Sequence, residues 1–324
     1  MRRIKIMALA FLLAYPVSVF AVGGQAEDQA PKAMVLSNTE SSFVVSHMVG
    51  RIPPPREIQE VTADHPPRTI TLYASHFAVG MSATRGIQME MQIVNRSANP
   101  RTYEIYTADD AGNNMGVKYT NPVNGAQALG SYGAGYLPGK SSVLKVITWC
   151  DDPYCTGPAL QKGWMRFDIP QSWDVDKGEY VDDIMILLVY QITDSEGSVI
   201  STEGVSPTPA RKNFLIPAAI WPNREFALAI ANPWNSTKKV WLKLYEEDQL
   251  VAEKELQLLP GEQISKFLRE FFPDLPKNSR GNMINQGSLE IQMEKEGAIV
   301  VLKIDSDGVS FNMAGVPPFP GRTE

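Results

Sequence analysis

Apolar and polar residues alternate along most of this chain. In Ile87-Gln88-Met89-Glu90-Met91-Gln92-Ile93 every second residue is apolar, the pattern of a strand with one face in a core and the other in water. Thr102 to Tyr106 follows across Asn95-Arg96-Ser97-Ala98-Asn99-Pro100, whose Asn and Pro residues are turn chemistry. Ala108-Asp109-Asp110-Ala111-Gly112 predicts a second turn, and Phe43-Val44-Val45 and Thr69 to Tyr73 read as further strands. Between the last two, Arg51 to Pro67 is rich in proline and reads as extended chain. One stretch has helical spacing instead: Ile264, Phe267, Leu268, Phe271 and Phe272, ending at Pro273, predict a short helix that caps one end of a sandwich.

The alternating pattern occurs twice in the same order. Ile87–Asp110 lies without a gap on Arg224–Glu247, so that Met89, Met91, Ile93 and Asn95 fall on Phe226, Leu228, Ile230 and Asn232. Leu137-Pro138-Gly139 answers Leu259-Pro260-Gly261, and GWMRFDI from Gly163 answers GSLEIQM from Gly287. Met185 to Gln191, before the turn Asp194–Gly197, answers Ala298 to Ile304 before Asp305–Gly308. A duplicated order of elements means two copies of one fold, and short strands separated by turns suit an antiparallel sandwich. The expected fold is all-β: two tandem antiparallel Ig-like β-sandwiches, the second with one short helix. The expected boundaries are a signal peptide over 1–21, a flexible or extended leader over 22–68, sandwiches over 69–210 and 211–319, and a tail over 320–324. Pro207-Thr208-Pro209 makes a stiff junction. Copy one also carries two insertions, 112–135, rich in Gly, Asn and Tyr, and 170–181, with Trp173 and several acids.

The first residues change the compartment. Arg2, Arg3 and Lys5 precede an apolar run from Ile6 to Phe20, and Val19-Phe20-Ala21 places small residues where a signal peptidase reads. The run is short for a membrane span, so export with cleavage after Ala21 is expected, with an uncleaved anchor as the alternative. Removing this segment takes Lys plus Arg from 30 to 27 against 36 Asp plus Glu, moving the formal net charge from −6 to −9. An acidic chain is not drawn to nucleic acid or anionic lipid. Cys150 and Cys155 are the only cysteines; in an exported protein they are expected to form a disulfide that shapes a loop tip, with a metal site as the alternative. At 44% hydrophobic the chain has ample material for two cores.

Candidate chemistry is sparse. His47, His65 and His76 all precede the first clear repeat strand and read as solvated or capping residues. Gly139-Lys140-Ser141 ends like a phosphate loop, but Ala134 stands where the first Gly is required. Asp109-Asp110, Asp174-Val175-Asp176 and Asp305-Ser306-Asp307-Gly308 read as turns more readily than as calcium ligands. The doublets Asp151-Asp152 and Asp182-Asp183 point to opposite faces of a strand, so neither forms a flanking carboxylate pair. No cofactor or metal is expected. Aromatics are the better lead. Tyr119 and Tyr132 in the first insertion, Tyr136 at its end and Trp173 in the second form the candidate binding surface, since flat rings on loops stack on sugars or grip a protein; the alternative is that they fold inward. Trp149, Trp164, Trp221, Trp234 and Trp241 are expected in the core.

Copy two also resembles a small β-sandwich repeat of bacterial exported and surface proteins. The residues that carry this are Ile230-Ala231-Asn232-Pro233, Leu242-Lys243-Leu244-Tyr245, Leu259-Pro260-Gly261-Glu262, Phe267-Leu268-Arg269-Glu270-Phe271-Phe272-Pro273 and Gly287-Ser288-Leu289. Copy one matches less: Val94-Asn95 lacks the adjacent Pro, and no such helix motif follows its Leu-Pro-Gly. The resemblance implies a noncatalytic structural or adhesive module. The expected function is therefore a noncatalytic exported protein that binds or scaffolds in the cell envelope or outside it, with an envelope or surface protein, or a glycan, as partner. A periplasmic pilus or fimbrial assembly chaperone is the alternative, donating the strand after Leu137-Pro138-Gly139 to a subunit. A carbohydrate-binding module is the second alternative, resting on the loop aromatics.

Overall fold

The structure is a computed structural model of the 324-residue chain. It describes residues 34–38, 41–46, 48, 50–55, 68–81, 86–148, 160–174, 176, 178–194, 196–306, 311–316 and 319–320. Ala21, Cys150, Cys155, His47, His65, Trp149 and the Asp151-Asp152 doublet lie outside the described residues. The chain begins with β1 (Met34–Asn38) and β2 (Ser41–Ser46). It continues through β3 (Arg68–Met81), β4 (Gly86–Asn95), β5 (Arg101–Asp109), β6 (Val117–Thr120), β7 (Gln127–Gly130), β8 (Tyr132–Leu137) and β9 (Ser142–Thr148). Copy one ends with β10 (Leu160–Asp174), β11 (Glu179–Val181), β12 (Ile184–Thr193), β13 (Val199–Val205) and β14 (Thr208–Pro209). Copy two contains β15 (Arg211–Trp221), β16 (Arg224–Ala231), β17 (Lys238–Glu246), β18 (Gln249–Leu258) and β19 (Gln263–Phe267). One helical turn, α1 (Leu268–Phe271), precedes β20 (Ile284–Ser306), β21 (Phe311–Val316) and β22 (Phe319–Pro320).

The two copies share one topology, and every pairing is antiparallel. Copy one packs a layer ordered β8-β5-β10-β3 on a layer ordered β9-β4-β12-β13. Copy two repeats this as β18-β17-β20-β15 and β19-β16-β20-β21, with the 23-residue β20 passing from one layer to the other. The fold is thus two tandem antiparallel sandwiches. As in an immunoglobulin sandwich, the second shared strand pairs with the fifth and the third with the sixth. The outer strands differ: the first lies beside the sixth, and the seventh lies beside the second. Alternation places the core: Met89, Met91 and Ile93 in copy one and Leu228, Ile230, Val240 and Leu242 in copy two are completely buried.

Duplicated residues have duplicated tasks. Asn95 donates from Nδ2 to the carbonyls of Asn99, Leu137 and Pro138, and its Oδ1 accepts from the Ser97 amide. Asn232 does the same to Ser236, Leu258 and Leu259, and accepts from the Trp234 amide. A short amide side chain tying three carbonyls satisfies groups that would otherwise be buried without partners. The equivalence also corrects the alignment, because Leu137-Pro138 corresponds to Leu258-Leu259 and not to Leu259-Pro260. Lys140 (φ 56°) and Gly261 (φ 71°) then share the left-handed position of the turn. Gly163 and Gly287 do correspond: a Cβ on either would strike a neighbouring carbonyl, that of Ala108 or of Tyr245.

Several expectations change. The 22–68 leader is partly sheet, since β2 pairs with β8 and sends Phe43 and Val45 into the core. Residues 112–135 are not a surface loop but supply β6, β7 and most of β8; β6 pairs with β9, and the Ser131 amide donates to Ser46, which brings copy one close to a closed barrel. The expected helix from Ile264 is strand as far as Phe267, because β19 has β16 to pair with, and only Leu268–Phe271 turns. That turn still plugs the core of copy two with Leu268, Phe271 and Phe272. Of the described tryptophans only Trp164 is fully buried; Trp221, Trp234 and Trp241 are half-buried.

A continuous seam joins the copies. Ala227, Phe267, Val300 and Leu302 of copy two pack into the core of copy one. Trp164 donates from Nε1 to the Gly261 carbonyl (2.8 Å), and Gln263 donates to the carbonyls of Ser75 and Asp110 (both 2.9 Å). The Gly112 and Gly261 backbones touch there without side chains between them.

Candidate functional site

The outward face of the β2-β8-β5-β10-β3 layer differs from an ordinary solvated sheet. Along β10, Met165, Phe167 and Ile169 point into the core, so strand alternation turns Arg166, Asp168 and Pro170 outward. Register then sets Glu104 of β5 opposite Asp168, with Thr71 of β3 on the other side. Ala134 of β8 and Val44 of β2 continue that row. The next row contains Tyr132, Tyr106, Arg166 and Tyr73; the row on the other side contains Tyr136 and Thr102 on β8 and β5, and Pro170 and Thr69 on β10 and β3. Between them runs a groove of about 400 Å³ lined by Val44, Thr69, Thr102, Glu104, Ala134, Tyr136, Asp168 and Pro170, with the backbone of Tyr103 and Gly135 beneath.

Internal bonds fix the polar groups. Arg166 and Asp168 form an ion pair of 3.1 Å with side chains only 2% and 6% exposed. The Arg166 guanidinium lies 4.0 Å from the centre of the Tyr106 ring and also donates to the Pro53 carbonyl, so the 50–55 segment covers it. Thr71 donates to Asp168 Oδ1 (2.9 Å), and the Tyr106 hydroxyl donates to Glu104 Oε2 (2.7 Å). Burial holds the Tyr73 and Tyr106 hydroxyls well above the ordinary phenol range. Arg166 is therefore a buried charge with a matched partner, which removal of either side would leave uncompensated. The groove presents the Glu104 carboxylate, threonine hydroxyls, a small apolar floor and one exposed ring, with the Asp168 carboxylate buried at its base.

The aromatic candidates separate. Tyr119 is completely buried in β6, edge-on to Phe43 at 5.3 Å, and does not belong to a surface. Tyr132 is half-buried with its ring 5.0 Å from Tyr106. Tyr136 is 41% exposed and lines the groove. Trp173 lies near the end of β10, half-buried and edge-on to Tyr180 at 5.1 Å, with Arg68 over the Tyr180 ring. The structure thus brings Tyr132 and Tyr136 to one face and places Tyr119 and Trp173 elsewhere. Glu104, Asp168, Thr69 and Thr102 were missed. Their signal in the sequence is only that they occupy polar positions in strands, which most solvated residues also do.

The remaining candidates have structural tasks. Asp109 accepts from the Ala111 and Asn113 amides, Asp174 from the Asp176 amide, and Asp194 from the Glu196 and Ser198 amides, so each closes its own turn. For Asp183, burial raises its pKa, but Ser172 and Arg101 outweigh that and hold the carboxyl below the usual range. His76, expected in solvent, is buried: its Nδ1 lies 3.3 Å from the Tyr190 hydroxyl, and that hydroxyl donates to the His76 carbonyl. Burial, and then Lys162, lower its pKa to about 4. The strand that a chaperone would donate is β9, and it is paired on both sides, with β4 and with β6. Among the described residues no cluster of three His, Cys, Asp or Glu side chains is placed to hold a metal ion, and no helix is long and apolar enough to cross a membrane.

No protein-family model matches this chain, and no curated protein matches it either.

Proposed function

We propose that this is a noncatalytic exported protein that binds a component of the cell envelope or its surroundings, and that the outward face of copy one is its recognition surface. The observation that carries this reading is the difference between equivalent positions. Where copy one has Glu104 opposite Asp168 and Tyr106 opposite Arg166, copy two has Trp241 opposite Gln292 and Lys243 opposite Glu290. Shared residues explain the shared sandwich; a groove with buried, oriented polar groups at positions where copy two has Trp241, Gln292, Lys243 and Glu290 calls for another explanation, and ligand recognition supplies it. The amino-terminal pattern of Arg2, Arg3 and Lys5 before an apolar run supports export. The chaperone alternative has less support, since its donor strand is enclosed.

The test is co-sedimentation of the purified protein with isolated envelope and extracellular-matrix fractions. The expected result is retention in one fraction, abolished by Thr102→Trp in the groove and unaffected by Lys243→Ala on copy two. A hydrolase activity that disappears with substitution of one carboxylate would overturn the reading.

A further inference from the structure

We infer that the groove of copy one takes a neutral glycan chain, an assignment that rests on copy one's outward face being the recognition surface. The row Val44–Ala134–Glu104–Asp168–Thr71 crosses five strands, roughly 19 Å at the ordinary strand spacing. Such a path suits several units of an extended chain. Its composition changes along its length. At the β2-β8 end the floor is Val44 and Ala134, and the exposed Tyr136 ring stands beside them. At the β5-β10-β3 end it is carboxylate and hydroxyl: Glu104, Asp168, Thr102 and Thr69. A sugar has the same division, with an apolar C–H face that packs on a ring and a rim of hydroxyls that donates to carboxylates.

Charge decides between a glycan and a basic protein segment. Asp168 is already neutralised by Arg166 at 3.1 Å, so the groove does not offer a cation two carboxylate charges. Long-range attraction for a lysine or arginine chain is correspondingly weak. Hydroxyl groups do not need net charge; they need oriented acceptors, and the Tyr106 hydroxyl holds Glu104 in a fixed direction, while Asp168 beneath it is buried against Thr71 and Arg166. Preorganised acceptors lose little entropy on binding. The equivalent face of copy two is different: Trp241 donates to Glu255 at 2.9 Å, and Lys239 pairs with the same carboxylate at 2.8 Å. That ring is engaged by its own neighbours.

The experiment is affinity electrophoresis of the purified protein in gels containing soluble β-1,3-glucan, xylan, galactomannan or amylose, with oligo-lysine and polygalacturonate as charged probes. The expected result is retardation by at least one neutral polysaccharide, weakened about tenfold, the equivalent of about 1.4 kcal/mol, by Tyr136→Ala and by Glu104→Gln. Thr102→Trp, at an exposed position, blocks the groove without touching the core, and Trp241→Ala leaves retardation unchanged. Absence of retardation by all four neutral polysaccharides overturns the inference, as does retardation insensitive to the three groove substitutions. Binding of oligo-lysine or polygalacturonate alone, lost in Thr102→Trp, overturns the glycan class while keeping this face as the recognition surface. Binding lost only in Trp241→Ala overturns both.

Discussion

The outward faces of the two sandwiches are built on the same register and are chemically unlike. In copy one, Arg166 is sealed between Asp168, the Tyr106 ring and the Pro53 carbonyl. In copy two, the residue at that position is Glu290, and nearby Lys239 and Glu255 form an ion pair with side chains 46% and 44% exposed. Water screens the second pair and has little access to the first. The difference teaches that duplication preserved what the sandwich needs, including the Asn clamp and the glycine under the neighbouring carbonyl, and left the outward positions to diverge. The closure of the cores diverged too. Copy one uses β2 and β6, strands from outside the shared plan, whereas copy two uses a single helical turn with Phe271 and Phe272.

The largest test of this contrast is to break the buried pair. Arg166→Ala is expected to cost about 3–5 kcal/mol, because it strands the Asp168 carboxylate in a buried site; urea unfolding read by Trp fluorescence measures it. A loss below 1 kcal/mol would show that this face is as solvated as that of copy two.

The next largest effect separates the copies by pH. His76 lies in copy one with its pKa lowered to about 4 by burial and then by Lys162, which itself lies 3.5 Å from Asp110. The described part of copy two contains no histidine. A lowered histidine pKa means that the unfolded chain binds the extra proton first. Stability is therefore full above about pH 6.5 and falls as pH drops from there to about 4, levelling below that, with a loss of about 3 kcal/mol. His76→Gln is expected to remove that slope. A slope that survives the substitution assigns it to other groups.

A smaller and symmetrical effect tests the shared plan. Asn95→Ala and Asn232→Ala each leave buried carbonyls without their donor and are expected to cost about 1–3 kcal/mol. Near-equal losses in denaturant unfolding would sharpen the equivalence; a loss in only one copy would break it. The smallest effect belongs to the exposed pair: Lys239→Ala is expected to leave the unfolding midpoint unchanged within error, at low and at high salt alike.

Much of the fold is legible in the residue pattern, and the reasons are local. Period-two runs such as Ile87–Ile93 and Phe226–Ile230 mark strands, because alternate side chains must face one core. GWMRFDI and GSLEIQM align because the same carbonyl excludes a side chain at Gly163 and Gly287. Errors arose where a local signal competed with a distant partner. Ile264–Phe267 has helical spacing, yet pairing with β16 satisfies its backbone as strand. Leu-Pro-Gly is a conspicuous string, but the clamp carbonyls and the left-handed position fix the turn one residue away. The glycine-rich surroundings of Tyr119 resemble a loop, yet those glycines make room for Phe43, Val45 and Tyr103.

The candidate site was hardly legible at all. Tyr136 stands out in the sequence as a ring in a glycine-rich stretch, but Glu104 and Asp168 are neighbours only because β5 and β10 pair in one register. By itself the sequence determined the all-β character, the duplication and the faces of most strands, since these follow from side-chain period and turn chemistry within a few residues. Tertiary structure alone decided the register between distant strands. That register set which polar side chains meet, which charge is sealed from water, and where copy one leaves a groove.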